Sequence, residues 1–324
     1  MVPVLEAVPN FSEGRDVGWI QELVQVIAAH GVEVLDWTAD RDHNRSVVTY
    51  IGAPDEVEAA SLAAALFAIE GIDMRSHEGV HPRIGALDVL PFVPLNDLTM
   101  EAASRSAGRV ADKLAAEGVP VYLYGEARSG KGSTGGSSGP DRSLASVRRG
   151  GFEALVGGFP PGREPDLPAP QWPDRPHPTA GATCVGVRHV LLAWNVFVQD
   201  ISLDALEEIA RGLRESGGGF KYLRVLALAL PRTDRRQISM NLERPELTSP
   251  YDVFDAVESR VEASGGQVVE TEVIGMIPDP LVLPAAADRF RLVHPGKSRL
   301  LSHRVSEHVS ARGIKSDTSV SADL

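Results

Sequence analysis

The hydrophobic positions of this chain switch repeatedly between a strand-like and a helix-like period. Val2–Val8 predicts a strand, and the loop Pro9-Asn10-Phe11-Ser12-Glu13-Gly14 follows it. Across Asp16–His30, the residues Ile20, Leu23, Val24, Ile27 and Ala28 share one helical face, and Gly31 stops the helix. Val32–Trp37 and Ser46–Gly52 predict two more strands around the polar turn Asp40-Arg41-Asp42-His43-Asn44-Arg45. Asp55–Ile69 is alanine-rich and helical, Ala86–Val93 is extended, Thr99–Glu117 is a third helix and Val119–Tyr124 another strand. The order is βαββαβ with one helix added, an α+β arrangement of one sheet and a helical layer.

The same grammar returns in the second half. Val185–Val198 predicts one long strand, and Leu203–Glu215 a helix on Leu206, Ile209 and Leu213. Tyr222–Leu230 and Gln237–Leu242 predict a strand pair. Ser249-Pro250 is a cap and first-turn pair opening a helix to Ser264, and Val268–Ile277 is the last strand. Between the halves lie the Gly/Ser-rich loop Gly125–Ser143, a short helix within Ser143–Phe159 carrying Arg148 and Arg149, and the Pro-rich linker Pro160–Pro178. The chain is therefore expected to divide into subdomains 1–175 and 176–284 and an extension, 285–324. In the extension Leu301, Val305 and Val309 have helical spacing, and the polar last residues are expected to be disordered. Two repeated halves favour a ligand crevice between them.

Composition narrows the classes. At 324 residues, 43% of them apolar, the chain can bury a sizeable core without disulfides. Cys184 is the only cysteine, which excludes an intramolecular disulfide and a multi-Cys metal site, and its apolar strand makes it a buried hydrophobe before a nucleophile. The N-terminus has no basic segment ahead of an apolar run, and no stretch nears the ~20 apolar residues of a bilayer span. A cytoplasmic protein with no membrane partner is expected. The formal net charge of −12 argues against nucleic acid as a partner. An anionic small molecule would need a local basic patch.

Candidate chemistry concentrates in Ser76–Pro94, SHEGVHPRIGALDVLPFVP. Its His77-Glu78-Gly79-Val80-His81 matches the H-E-x-x-H pattern of zinc peptidases, which sets both histidines on one face of a continuous helix. Gly79 weakens such a helix by roughly 1 kcal/mol relative to Ala. Pro82 pushes His81 out of the α region. A loop-to-strand turn presenting His81 at a sheet edge fits better, and no metal is expected. Gly125 to Gly130-Lys131 nearly spells a phosphate-binding loop, but Gly132 stands where magnesium requires Ser or Thr. His30, His189, His294, His303 and His308 sit at helix ends, in a strand or in the tail and read as structural.

Six motifs together resemble one family. They are Glu6–Asp16 (EAVPNFSEGRD), Asn44–Gly52 (NRSVVTYIG), His77–Pro94 (HEGVHPRIGALDVLPFVP), Val119–Ala127 (VPVYLYGEA), Gly181–Val198 (GATCVGVRHVLLAWNVFV) and Gln237–Leu242 (QISMNL). The resemblance is to the formiminotransferases, the folate-dependent glutamate formimidoyltransferases of histidine breakdown. It spans almost the whole chain to about Pro280 and implies two ferredoxin-like subdomains, a folate site between them and a homodimer. It also implies that the cyclodeaminase domain fused in animals is absent and that a separate deaminase processes the product.

The implied reaction moves a formimino group from N-formimino-L-glutamate to N5 of tetrahydrofolate, a co-substrate. The incoming nitrogen loses a proton and the departing one gains it. The family's catalytic histidine maps to His81, whose ordinary pKa near 6.5 suits both steps. Asp36 or Asp40 would orient it or stabilise the cationic formimino group, or be plain strand-end carboxylates. Arg45 and Arg83 match the substrate carboxylates, although Arg83 has the alternative of only bracing its turn. Asn10 and Asn44 either touch ligand or satisfy loop backbone. Folate and substrate contacts are further implied at Gly85, Asp174, His177, Pro178, Thr179, Gly181 and Gly212. Two departures bear on these. The linker before Gly181 is shorter than in the family, and Gly212 replaces a usual Asn. Formyl transfer from 5-formyltetrahydrofolate to glutamate, a non-catalytic folate-binding protein and a zinc peptidase are the competing readings.

Overall fold

The computed structural model describes residues 3–129, 144–230, 235–277 and 281–285. Most of the Gly/Ser-rich loop and all of the extension after residue 285 lie outside the described residues.

Strands β1 (Val4–Ala7) and β2 (Asn10–Phe11) lie between the same two neighbours, β4 (Arg45–Gly52) and β5 (Leu87–Leu95), and run antiparallel to both. Pro9 separates them because it has no amide proton for the ladder, while its carbonyl still accepts from Val48 N at 3.2 Å. β3 (Glu33–Asp40) borders β4 antiparallel. On the other side β7 (Thr183–Val187) and then β6 (Val121–Gly125) join β5 in parallel, completing a seven-stranded sheet.

Three helices cover one face: α1 (Val17–Ala28), α2 (Pro54–Gly71) and α3 (Met100–Ala116). Asp16 and Thr99 cap α1 and α3 by accepting from Trp19 N and Ala102 N. The buried small residues Ala60, Ala64, Ala65 and Ala68 let α2 pack tightly between its neighbours. Leu5, Phe11, Val48, Tyr50, Leu90 and Phe92 fill the space below the helices. On the opposite face Val89, Tyr122 and Cys184 pack under Val147 and Leu155. Burial pushes the Cys184 thiol far above its ordinary range, so it is the inert hydrophobe its strand suggested. After the short α4 (Glu126–Ser129), the expected helix within Ser143–Phe159 is reduced to α5 (Leu144–Val147) and a 3-10 turn at Phe152–Ala154.

The second sheet holds β8 (Leu192–Gln199), β9 (Leu223–Leu230), β10 (Arg235–Leu242) and β11 (Gln267–Ile274), in the antiparallel order β11-β8-β10-β9. Helices α6 (Leu203–Leu213) and α7 (Pro250–Ala263) cover one face, and Trp194 stacks on Phe254 with centroids 5.6 Å apart. Two expectations need correction. Val185–Val198 is not one strand: Thr183–Val187 belongs to the first sheet, and the chain crosses to the second before Leu192. The passage between sheets therefore lies at 188–191, not at 175/176. β7 is buried along its whole length because parallel partners flank it on both sides, and an apolar run cannot declare which sheet it joins. Among the described residues no helix is long and apolar enough to cross a membrane.

Candidate active site

Three segments meet at the start of β4: the turn after β3, the irregular stretch from Asp73 to Ala86, and residues 144–153. His77–His81 is not helical, so the H-E-x-x-H spacing never becomes a ligand pair. Its centre is a close approach of two backbones. A Cβ on Gly79 would overlap the carbonyl oxygen of His43, and Val80 N donates to Asp42 O at 3.1 Å. Asn44 locks the approach from a left-handed conformation (φ 47°), accepting from Gly14 N at 3.0 Å and donating to Glu78 O at 3.0 Å. Gly79→Ala is therefore expected to destabilise the fold by about 2–3 kcal/mol, read as a lower denaturation midpoint.

The two histidines of the motif have different environments. His77 is buried, its Nε2 donating to Asn44 O at 2.9 Å and its Nδ1 accepting from Arg83 Nε at 2.9 Å. Arg83 also donates to His77 O at 2.9 Å and forms an ion pair with Glu153 at 2.6 Å. In this structure Arg83 is engaged with His77 and Glu153. Burial and the adjacent Arg83 charge lower the His77 pKa, which keeps it neutral and structural.

Beneath His81 lies a buried ion cluster that the sequence had not singled out. Asp88, fully buried in β5, accepts from Arg45 Nη1 at 2.8 Å and Arg148 Nη1 at 3.0 Å through one oxygen. Its other oxygen accepts from Ile84 N at 2.9 Å. Burial opposes its charge, but the two guanidiniums and the Ile84 amide hold the carboxyl below the usual carboxylate range. Asn10 Oδ1 receives both Nε and Nη2 of Arg45, at 3.1 and 2.7 Å, and Asn10 Nδ2 donates to Val8 O at 2.7 Å. Asn10 thus aims Arg45. With two guanidiniums on one carboxylate, the cluster leaves one positive charge over, the local basic site an acidic chain needs for an anionic ligand.

His81 sits on this surplus. Its Nδ1 lies 2.8 Å from Pro82 O and 3.3 Å from Arg45 Nη1. A proton on Nδ1 serves the carbonyl and leaves Nε2 a free base, whereas the cationic Arg45 is a neighbour that opposes protonation. Loss of water around the ring, then Arg45, Arg148 and His43, push its pKa well below that of a free imidazole. His81 is a neutral, partly exposed base.

The other expected residues divide. Asp40 faces the adjacent His43, not His81: it accepts from the amides of Asp42 and His43 at 2.8 Å each and lies 3.7 Å from His43 Nδ1. Asp36 pairs with Thr49 across β3 and β4, and no hydrogen bond or ion pair of the described residues joins it to His81. Gly85 and Gly181 face each other in an isolated bridge, and a Cβ on either would strike the opposing backbone. His177 closes the tight turn to Gly181 by reciprocal backbone bonds of 2.9 and 3.1 Å, its Nδ1 accepts from Ala180 N, and Thr179 O accepts from Met74 N. Pro178 lies within that turn, and Asp174 pairs with the adjacent Arg175 at the surface. Gly212 sits in α6 against Arg260, on the second sheet's helical side. A cavity of about 260 Å³ between Val198, Asp200, Arg235 and Val269 contains none of these residues. Among the described residues no three His, Cys, Asp or Glu side chains group to hold a metal.

Comparison with known proteins adds a second line of support. The family model described as "Formiminotransferase domain, N-terminal subdomain" matches residues 4–188, and "Formiminotransferase domain" matches 193–311. The chain is 37% identical to the glutamate formimidoyltransferase of Streptococcus pyogenes, over 88% of this chain and 93% of that one. It is 35% identical to that of Thermoplasma acidophilum, over 94% and 98%. The formimidoyltransferase-cyclodeaminase of Sus scrofa is 35% identical over 89% of this chain but 52% of its own length.

Proposed function

The chain belongs to the formiminotransferase family, and on that premise we propose that it is a glutamate formimidoyltransferase, a one-carbon transferase moving the formimino group of N-formimino-L-glutamate to N5 of tetrahydrofolate. The observation that carries this is end-to-end similarity to two relatives of that name. A neutral base beside a surplus positive charge is consistent with it. We read each sheet with its helices as a ferredoxin-like unit, since the four strands of each βαββαβ set are ordered alike, β3-β4-β1-β5 and β9-β10-β8-β11. The ligand crevice would lie between the sheet faces turned away from the helices, near where Gly275 approaches Thr49.

In this reading His81 Nε2 takes the proton from N5 as that nitrogen bonds to the formimino carbon, and returns it to the departing glutamate nitrogen. The unbalanced charge of Arg45 and Arg148 draws in the substrate carboxylates. Asn10 orients Arg45, while Asn44, Gly79 and Arg83 hold the turn in shape. The 174–181 turn is offered as a folate-side wall, and a cytoplasmic homodimer supplying a separate cyclodeaminase is the accompanying expectation. The test is a spectrophotometric assay with N-formimino-L-glutamate and tetrahydrofolate, coupled to a cyclodeaminase. Turnover is expected with this pair and much less with 5-formyltetrahydrofolate and glutamate. No product from the wild-type protein would overturn the reading, and preference for the formyl pair would replace it.

A further inference from the structure

We propose that His43 is a positioning residue for His81, a second imidazole that takes the first proton reaching the site so that His81 remains a free base. The inference rests on the catalytic reading of His81 given above. The rings of His43 and His81 pack together, with centroids 5.6 Å apart and planes inclined by 54°. His43 is 9% exposed, and its Nε2 is buried without a hydrogen-bond partner. An apolar ring would fill the same space without the unfavourable desolvation of that orphaned nitrogen.

The charges around the two rings differ in sign. His43 faces Asp40 and Asp42 from its own turn, Arg45 from β4 and Glu272 from β11 of the second sheet. Asn195 Nδ2 donates to that Glu272 at 3.3 Å. His81 faces Arg45, Arg148 and His43 itself, with Asp88 already committed to the two guanidiniums. Burial lowers the pKa of both rings, but Asp40, Asp42 and Glu272 pull that of His43 back up against burial and Arg45, whereas Arg45 and Arg148 push that of His81 further down. At this separation both rings cannot easily be cationic together, so the pair titrates in two steps and His43 takes the first. As pH falls, His81 stays neutral until after His43 has charged.

Ring-labelled histidine titrated by NMR in the whole protein, alongside pH profiles of kcat/KM, tests this. His43→Phe is expected to raise the His81 midpoint by about one pH unit and to move the acid limb of kcat/KM up with it. On the alkaline side of the limb, turnover should return to within about twofold of wild type, because His81 is then neutral anyway. His43→Gln is the second variant should the first fail to fold, and it should behave alike. An unmoved His81 midpoint, or an activity loss equal at every pH, would assign His43 a merely structural role and overturn the proposal. If wild-type protein transfers no formimino group, the functional reading fails separately, while the ring titrations still decide the coupling.

Discussion

His81→Ala is expected to lower kcat/KM for formimino transfer by about 10²–10⁴-fold, the usual contribution of a positioned general acid–base group. The loss should fall mainly on kcat, since the charge that draws in the substrate resides in Arg45 and Arg148, not in the imidazole. Stability should change little. The ring is partly exposed, and its removal forfeits one hydrogen bond, to Pro82 O, with a net effect near 1 kcal/mol. Steady-state kinetics and a denaturation curve on the same preparation separate the two effects. Near-normal turnover in this variant would remove His81 from the chemistry without touching the family assignment. The pH profile of the wild type carries the same logic. Because the folded protein holds the His81 pKa well below 6.5, the active neutral form should persist to more acidic pH than a free imidazole would allow.

Asp88→Asn is expected to destabilise the protein by about 3–5 kcal/mol, the range for breaking a buried ion pair from one side. The amide still accepts from Ile84 N but no longer balances the charges of Arg45 and Arg148. Urea denaturation should show a lower midpoint, and the double variant Asp88→Asn/Arg148→Met should recover part of it, because removing one guanidinium restores the original net charge of the cluster. A single variant as stable as wild type would show that the cluster tolerates two uncompensated cations. The ion cluster also sets a pH dependence. The folded-state pKa of Asp88 is depressed, so the folded protein binds fewer protons there than the unfolded chain. Its stabilisation is complete above about pH 3.9, the unfolded value, and is lost as pH falls through the folded one.

The fate of the H-E-x-x-H spacing shows how local signals can be read. Gly79 and Pro82 were enough to exclude a helix, and the structure adds the reason Gly is required: the His43 carbonyl occupies the place of a Cβ. Asp88 was open to the same kind of reading, as one carboxylate inside the apolar run Ala86–Val93, where burial is tolerated only with partners. Its partners were not readable. Arg45 is 43 residues away and Arg148 is 60, and no spacing rule connects them. His43 was hidden for a related reason, since a polar turn gives no sign that its histidine is folded under.

By itself the sequence determined most of the element order, the loop character of the His81 turn and, through motifs spread along the chain, the family. These follow from interactions within a few residues, from period, capping and proline sterics, or from residue identity itself. Only the tertiary structure decided that Thr183–Val187 belongs to the first sheet, that Arg83 bonds to His77 and Glu153 while Arg45 and Arg148 leave a charge over, and that His43 lies against His81. Each depends on strands and turns distant in sequence being brought within hydrogen-bond or ring contact. Charge balance in a buried site is a property of that assembled neighbourhood, not of any stretch of chain.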